Sequence, residues 1–405
     1  MKVCIFTENH YKGGLDTFII NLVNSWPFFD DDMTFFCNAD HPGLSTIKSN
    51  LKDKIKIKKY SFFFIKGKYK GFEGGVFERY RILRGIIVLL NNIVEYPFLF
   101  IWYLLTLYIK FKKSDYEKLL VVNGGYPASL VCRAAVIAWR LSGKKSKAIM
   151  NFHSTPTNSP LYKIIQEMFV DYLVIKFSKK IVAVSNTTLS KLKERRLFSK
   201  TKKTMFIHNG INDPKCNELY SYKDYLDNNQ NYCLILASYH AYKGHSYAIK
   251  AFSKVYKKFP KTKLLMFGYG KKSEKIRIKN QMNGLPYSQN IHLGGFLNNP
   301  ACLIKNASVL LVPSQSLESF GLTIVEAMAL KTPIVATDVG GVPEVIGSSG
   351  SGIVCSKNDS DEFGASIIKI LTNDSLARTM GVNGRLTYEK KYHAEIMAKK
   401  YAEIL

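Results

Sequence analysis

A chain of 405 residues, 46% of them hydrophobic, can bury two cores of about 200 residues each and is too apolar to be disordered. Its formal net charge of +27 is uneven, with 34 Lys/Arg against 15 Asp/Glu in residues 1–205 and 24 against 16 in residues 206–405. Seven cysteines (Cys4, Cys37, Cys132, Cys216, Cys233, Cys302, Cys355) stand singly without a Cys-x-x-Cys, which speaks against a zinc site or a disulfide framework and fits a reducing cytoplasm.

The opening MKVCIFTE predicts a strand over Lys2–Phe6, because its apolar run is too short for a signal peptide and Glu8 interrupts it. Gly13-Gly14 then leads into a helical pattern over Leu15–Val23. A glycine pair between strand and helix lets the backbone approach a ligand, or simply makes a tight turn. From Lys48 to Arg84 there are twelve Lys/Arg and three acids, interleaved with aromatics such as Tyr60, Phe62 and Tyr80. That mixture suits an anionic membrane surface, and no nucleic-acid motif accompanies it. Ile86–Ile109 is almost entirely apolar but is broken by Asn91-Asn92, Glu95 and Pro97. Its uninterrupted part, Phe98–Ile109, falls short of the roughly 20 residues a spanning helix needs. Two apolar helical pieces ending in Lys110, Lys112 and Lys113 suit either shallow insertion or a buried core helix.

Leu119–Asn123 and Ala148–Phe152 read as strands, with a helix over Leu130–Leu141 between them. His153 follows the second strand's carboxyl end, where α/β proteins bind ligands, although a structural histidine fits there equally. Lys180–Val184 is a further strand, and Ser185 is read as a cap for the next helix. Phe206–Gly210 (FIHNG) reads as a strand and turn closing the first half, and polar, aperiodic Asp213–Asn231 reads as a linker.

The second half begins with a strand over Tyr232–Ala237, then SYHAYKGH, in which Lys243-Gly244 lies between strand and helix. A lysine there suits a diphosphate, or is a solvated surface charge. Leu264–Gly270 (LLMFGYG) runs into Gly268 and Gly270, and Asn290–Phe296 is the next strand. Ala307–Pro313 is a buried strand, followed by Glu318–Ala329, ESFGLTIVEAMA. Ser319-Phe320-Gly321 ahead of a helix from Leu322 leaves backbone N–H groups facing a helix N-terminus, a ready anion site. Glu318 and Glu326 would lie roughly 12 Å apart, too far for an acid/base dyad, so each suits a separate set of hydroxyls. Pro333–Thr337 is a strand, Asp338–Glu344 (DVGGVPE) a loop, and Asp361–Leu371 and Ser375–Tyr392 two closing helices. Repeated strand–helix–strand units of this kind predict an α/β fold with parallel sheets.

Glu318, seven residues, then Glu326, with Phe320-Gly321 between and Ala327-Met328-Ala329 after, resembles the donor-site motif of retaining glycosyltransferases of family 4. The resemblance implies a GT-B fold, two Rossmann-like domains facing a cleft. The expected division is an acceptor-binding domain over 1–212 with a membrane-facing region at 48–113, a linker over 213–231, a nucleotide-sugar domain over 232–385, and a helix over 386–405 crossing back. It implies Glu318 and His153 as catalytic residues around the donor sugar. Gly13, Gly14, Lys243, Gly268, Phe320, Gly321, Leu322 and Glu326 would bind the donor, with Glu326 on the ribose. No metal or cofactor is implied, only a UDP- or GDP-sugar as donor substrate. The chain departs from the family at Ser238, where an arginine is usual, at Lys331, where glycine is usual, and at Asn212, often Asp. The basic and apolar first half points to a lipid-linked saccharide acceptor, reached from the cytoplasmic face of a membrane during capsule or O-antigen assembly. A transferase with a soluble acceptor, a catalytically silent nucleotide-binding scaffold and a sugar-nucleotide epimerase are the other readings.

Overall fold

The computed structural model describes residues 1–10, 12–51, 55–62, 81–157, 163–216 and 230–405, with backbone only at 81–95 and 348. Most of the basic stretch at 48–84 and of the linker expected at 213–231 lies outside the described residues. The rest forms two compact units. One comprises Met1–Val184, Thr188–Ile207 and Lys399–Leu405, the other Ser185–Thr187 and His208–Ala398.

In the first unit β1 (Lys2–Glu8), β2 (Asp32–Asn38), β3 (Lys56–Tyr60), β4 (Lys118–Asn123), β5 (Ala148–Phe152), β6 (Ser178–Ala183) and β7 (Thr204–Phe206) form one parallel sheet in the order 3-2-1-4-5-6-7. Continuous apolar runs such as Val3–Phe6 and Leu119–Val122 are fully buried, as strands covered on both faces require. The connecting helices are α1 (Gly14–Asn24), α2 (Leu44–Asn50), α3 (Arg81–Lys112), α4 (Leu130–Leu141), α5 (Ile164–Phe177) and α6 (Asn186–Lys193). Every residue of α4 from Val131 to Trp139 is buried, Arg133 included.

The two helical pieces expected either side of Pro97 are in fact one helix, α3, with the proline inside it. The reason is tertiary. Phe100, Tyr103, Leu107 and Phe111 pack into the core cluster that holds α4, and Tyr96, next to the proline, hydrogen-bonds Arg133 of α4 and Glu167 of α5. Packing on both sides offsets the backbone hydrogen bond that proline cannot make. No helix among the described residues is long and apolar enough to cross a membrane.

In the second unit β8 (Tyr232–Leu236), β9 (Lys263–Phe267), β10 (Ile291–Leu293), β11 (Val309–Val312), β12 (Ile334–Thr337) and β13 (Gly352–Cys355) form a parallel sheet in the order 10-9-8-11-12-13. Its helices are α7 (His245–Lys258), α8 (Lys272–Met282), α9 (Ala301–Asn306), α10 (Leu322–Ala329), α11 (Val342–Ile346), α12 (Ser360–Leu371), α13 (Asp374–Thr387) and α14 (Ala394–Ile404), the last of which ends in the first unit. The closing helix expected over Ser375–Tyr392 turns π-helical at Tyr388–Tyr392 and ends before His393. In both sheets the order reverses beside the first strand, at β1/β4 and β8/β11. That switch point opens a crevice at the strands' carboxyl ends, and the Gly13 and Lys243 loops leave from it.

The cysteine reading needs correction: Cys216 and Cys302 form a disulfide, with Cα atoms 4.6 Å apart and a sequence separation of 86. Single spacing along the chain carries no record of this approach. It arises because the segment after Asn212 folds against the start of α9, where Asn299 also donates to the Lys215 carbonyl at 3.0 Å. The other five cysteines are free and buried.

Candidate active site

In the second unit the loops after β8 and β11 are laced together. The Gln315 amide donates to the Tyr242 carbonyl at 2.7 Å, and Gly244 lies against the Pro313 carbonyl with no room for a Cβ. This brings Lys243 Nζ within 2.7 Å of Glu318 Oε2, a nearly buried ion pair joined by the Ser314 hydroxyl at 3.0 Å. Burial pulls the Lys243 pKa down, but the adjacent Glu318 carboxylate outweighs it and holds the ammonium above its ordinary value. Gly321 caps α10 with φ 90°, a left-handed conformation that favours glycine, and no side chain caps the helix. The first amides of α10 are therefore left for an anion. Phe320 is buried against His208 and Tyr392, so its ring is taken up by packing and only its backbone is left at the turn.

The Glu318–Phe320 turn is held from outside the motif. Gly341 donates to the Glu318 carbonyl at 2.7 Å, and Gly340, at φ 59°, leaves no space beside that carbonyl for a side chain. Ser185, read from sequence as a helix cap, instead donates its hydroxyl to the Ser319 carbonyl at 2.7 Å. Glu344 of the DVGGVPE segment accepts from the Asn186 and Thr187 amides at 2.8 and 2.9 Å and pairs with His208 at 2.6 Å. Burial opposes its charge, but these partners prevail and hold it down at about 2. Gly268 sits against the Ala237 carbonyl, so its lack of a side chain serves strand-end packing.

Glu326 is different. It lies half-buried on α10 with no hydrogen-bond partner among the described residues, and burial raises its pKa to about 7. A pair of hydroxyls donating to this carboxylate would favour its ionised form. Binding of a ligand whose hydroxyls make these bonds, between pH 6 and 7, is therefore expected to release a proton and to tighten as pH rises toward about 7. Calorimetry in buffers of different ionisation enthalpy reads this release, and Glu326→Gln should abolish it. With no ligand the folded state holds this proton more tightly than the unfolded chain. Its contribution to stability accordingly declines as pH rises from the ordinary carboxyl value to about 7.

Beside Ser238, His240 is paired through its Nδ1 with Glu274 at 2.6 Å. Arg277 of α8, which the sequence reading missed, donates to the Tyr239 carbonyl at 3.1 Å and so places a guanidinium beside the same turn. Lys331, where glycine was expected, adopts φ 61°. It is the one non-glycine residue with positive φ among the described residues.

In the first unit the Gly13–Gly14 loop is fixed by Asp16, whose carboxylate accepts from the Gly13 amide at 3.1 Å and from Asn9 at 3.0 Å, with His41 3.4 Å away. Burial pushes Asp16 up to about 6 and His41 down to about 4, so His41 is neutral near pH 7. His153 stacks edgewise on Phe18 with ring centres 4.3 Å apart, and its buried Nε2 has no hydrogen-bond partner among the described residues. Burial lowers its pKa to about 3, which makes it a neutral imidazole available to a polar ligand. Beyond β1–β3, Glu8, His10, Asn38, Asp40, Tyr60 and Phe62 line a cavity of about 140 Å³.

Residues 191–387 match the family model of glycosyl transferases group 1. An uncharacterised glycosyltransferase of Methanocaldococcus jannaschii is 29% identical over 218 residues, 54% of this chain and 56% of its own length. The N-acetyl-alpha-D-glucosaminyl L-malate synthase of Bacillus anthracis is 25% identical over 67% of this chain and 70% of its own. The capsular polysaccharide biosynthesis glycosyltransferase CapM of Staphylococcus aureus is 28% identical over 38% and 40%. The chain thus spans about half the length of the first of these relatives and less of the third. Anabaena HepE in complex with UDP-glucose superposes with a TM-score of 0.74 at 16% identity, covering 100% of this chain and 98% of HepE, and shows the fold. The two parallel sheets flanked by helices are the GT-B fold. The likeness to glycosyl transferases group 1 thus lies in residues 191–387, and the likeness over the whole chain is one of fold.

Proposed function

We propose that this protein transfers a sugar, with retention at the anomeric carbon, from a UDP- or GDP-sugar to a hydroxyl of a lipid-linked saccharide in cell-surface polysaccharide assembly. The observation that carries this reading is the Lys243–Glu318 pair beside the uncapped N-terminus of α10, with the unpartnered Glu326 on the same helix. Lys243 and the first α10 amides supply fixed positive charge for a departing diphosphate, so the proposed step uses no metal. Glu318 accepts from sugar hydroxyls and Glu326 from the ribose. The leaving phosphate oxygen takes the acceptor's proton on the face it departs from. CapM supports the polysaccharide setting, and the UDP-glucose held by HepE supports the donor class.

The purified protein, given a panel of UDP- and GDP-sugars, should release one nucleoside diphosphate, and Glu318→Ala should lose that release. Nucleotide binding without any release across the panel would instead favour a silent scaffold. Ser238 together with the His240–Glu274 pair is the observation that keeps this second reading in view. The peripheral membrane site on the cytoplasmic side belongs to the same proposal, with a soluble acceptor as its alternative.

A further inference from the structure

The outer faces of α3 and α5 are apolar. α3 turns Phe98, Ile101, Trp102, Leu105 and Ile109 outward at helical spacing, with Phe98 66% and Leu105 54% exposed. α5 turns out Ile165 and Phe169, 84% and 61% exposed, together with Tyr172. The two helices meet at Tyr96, whose hydroxyl donates to Glu167 at 2.6 Å, so the stripes flank one joint. Both acids of α5 point inward: Glu167 pairs with Arg133 at 2.6 Å, and Asp171 with Arg195 at 2.8 Å. From Tyr96 to Lys112, α3 contains no acid at all. Exposed Lys110, Lys112 and Lys113 stand at one end of the α3 stripe. Lys163 lies over the Tyr96 ring at 5.3 Å and Lys176 over the Tyr172 ring at 5.7 Å.

We propose that this face docks shallowly on an anionic lipid surface, its aromatic and aliphatic side chains entering the headgroup–acyl boundary while the lysines meet the lipid phosphates. Charge complementarity selects this occupant. An exposed apolar face rimmed by cations, with its acids withdrawn into buried pairs, has the composition of an interfacial helix, and residues 1–205 carry most of the chain's positive excess. The sequence placed a membrane-facing region in 48–113; the α5 contribution comes from the fold alone. The inference rests on the proposed function for its link to a lipid-linked acceptor, but docking itself is measurable without any sugar.

Trp102 is the probe. The chain has three tryptophans, and Trp26 and Trp139 are buried, so a vesicle-induced change reports Trp102. With phosphatidylcholine vesicles containing about one-third phosphatidylglycerol, the full chain should float with the lipid, and bromine-labelled acyl chains should quench its emission. Ile101→Glu/Leu105→Glu should reduce flotation by about tenfold or more, with thermal unfolding and donor hydrolysis unchanged. Lys110→Gln/Lys112→Gln/Lys113→Gln should weaken binding to these vesicles and remove its salt dependence. Absence of flotation and of quenching would overturn the inference. So would flotation that the paired glutamates leave intact, because binding would then lie elsewhere or be purely electrostatic. A dimer in light scattering that the same glutamates split, with vesicle binding unaltered, would assign the face to a second copy of the chain. Loss of donor hydrolysis with docking retained counts against the transferase reading alone.

Discussion

Lys243→Met is expected to lower the rate of donor turnover by about 10²–10³-fold, the usual loss when one fixed positive group facing a developing anion is removed. The reasoning starts from the resting state. Lys243 and Glu318 already neutralise each other at 2.7 Å, with side chains 19% and 14% exposed. On the proposed function neither has to leave water when the donor arrives; the diphosphate would instead draw the ammonium partly away from the carboxylate and free it to accept from sugar hydroxyls. Each single substitution strands its partner. Lys243→Met and Glu318→Gln should therefore be strongly non-additive in kcat/KM, with the double variant little worse than the worse single. Steady-state kinetics on the four proteins of the cycle, beside their unfolding temperatures, checks this. Additive losses would mean the two side chains act on the donor separately.

Arg133→Met is expected to destabilise the first unit by about 3–5 kcal/mol, the range for breaking a buried ion pair by removing one partner. Arg133 is 2% exposed, and its guanidinium bonds Glu167 at 2.6 Å and the Tyr96 hydroxyl at 2.9 Å, tying α3, α4 and α5 at one point. Removing it leaves Glu167 4% exposed, still accepting from the Tyr96 hydroxyl at 2.6 Å but with no cation among the described residues nearer than Arg195 at 3.5 Å. Arg133→Met/Glu167→Met should recover most of the loss, because no unpaired charge then remains buried. All three tryptophans lie in the first unit, so urea unfolding followed by their fluorescence reports that unit alone. A loss below about 1 kcal/mol would show the network relaxing or admitting water.

The sequence by itself determined the class of this protein. Its alternating short apolar runs and amphipathic stretches place β1, β4, β5, β8, β11 and β12 within a residue or two of where they stand. The glycine loops, Lys243 and the ESFGLTIVEAMA segment also declare themselves, because strand period, helix capping and the freedom of Gly321 at φ 90° are properties of neighbouring residues. Tertiary structure alone decided the contacts. Lys243 meets Glu318 across 75 residues, Ser185 braces Ser319 across 134, and Cys216 reaches Cys302 across 86. It also decided which face of α5 is wet: Arg133 and Arg195 pair with Glu167 and Asp171 on the inner face, and Ile165 and Phe169 are left outside. Burial and charge pairing depend on what packs opposite a residue, and the order of residues along the chain does not record that.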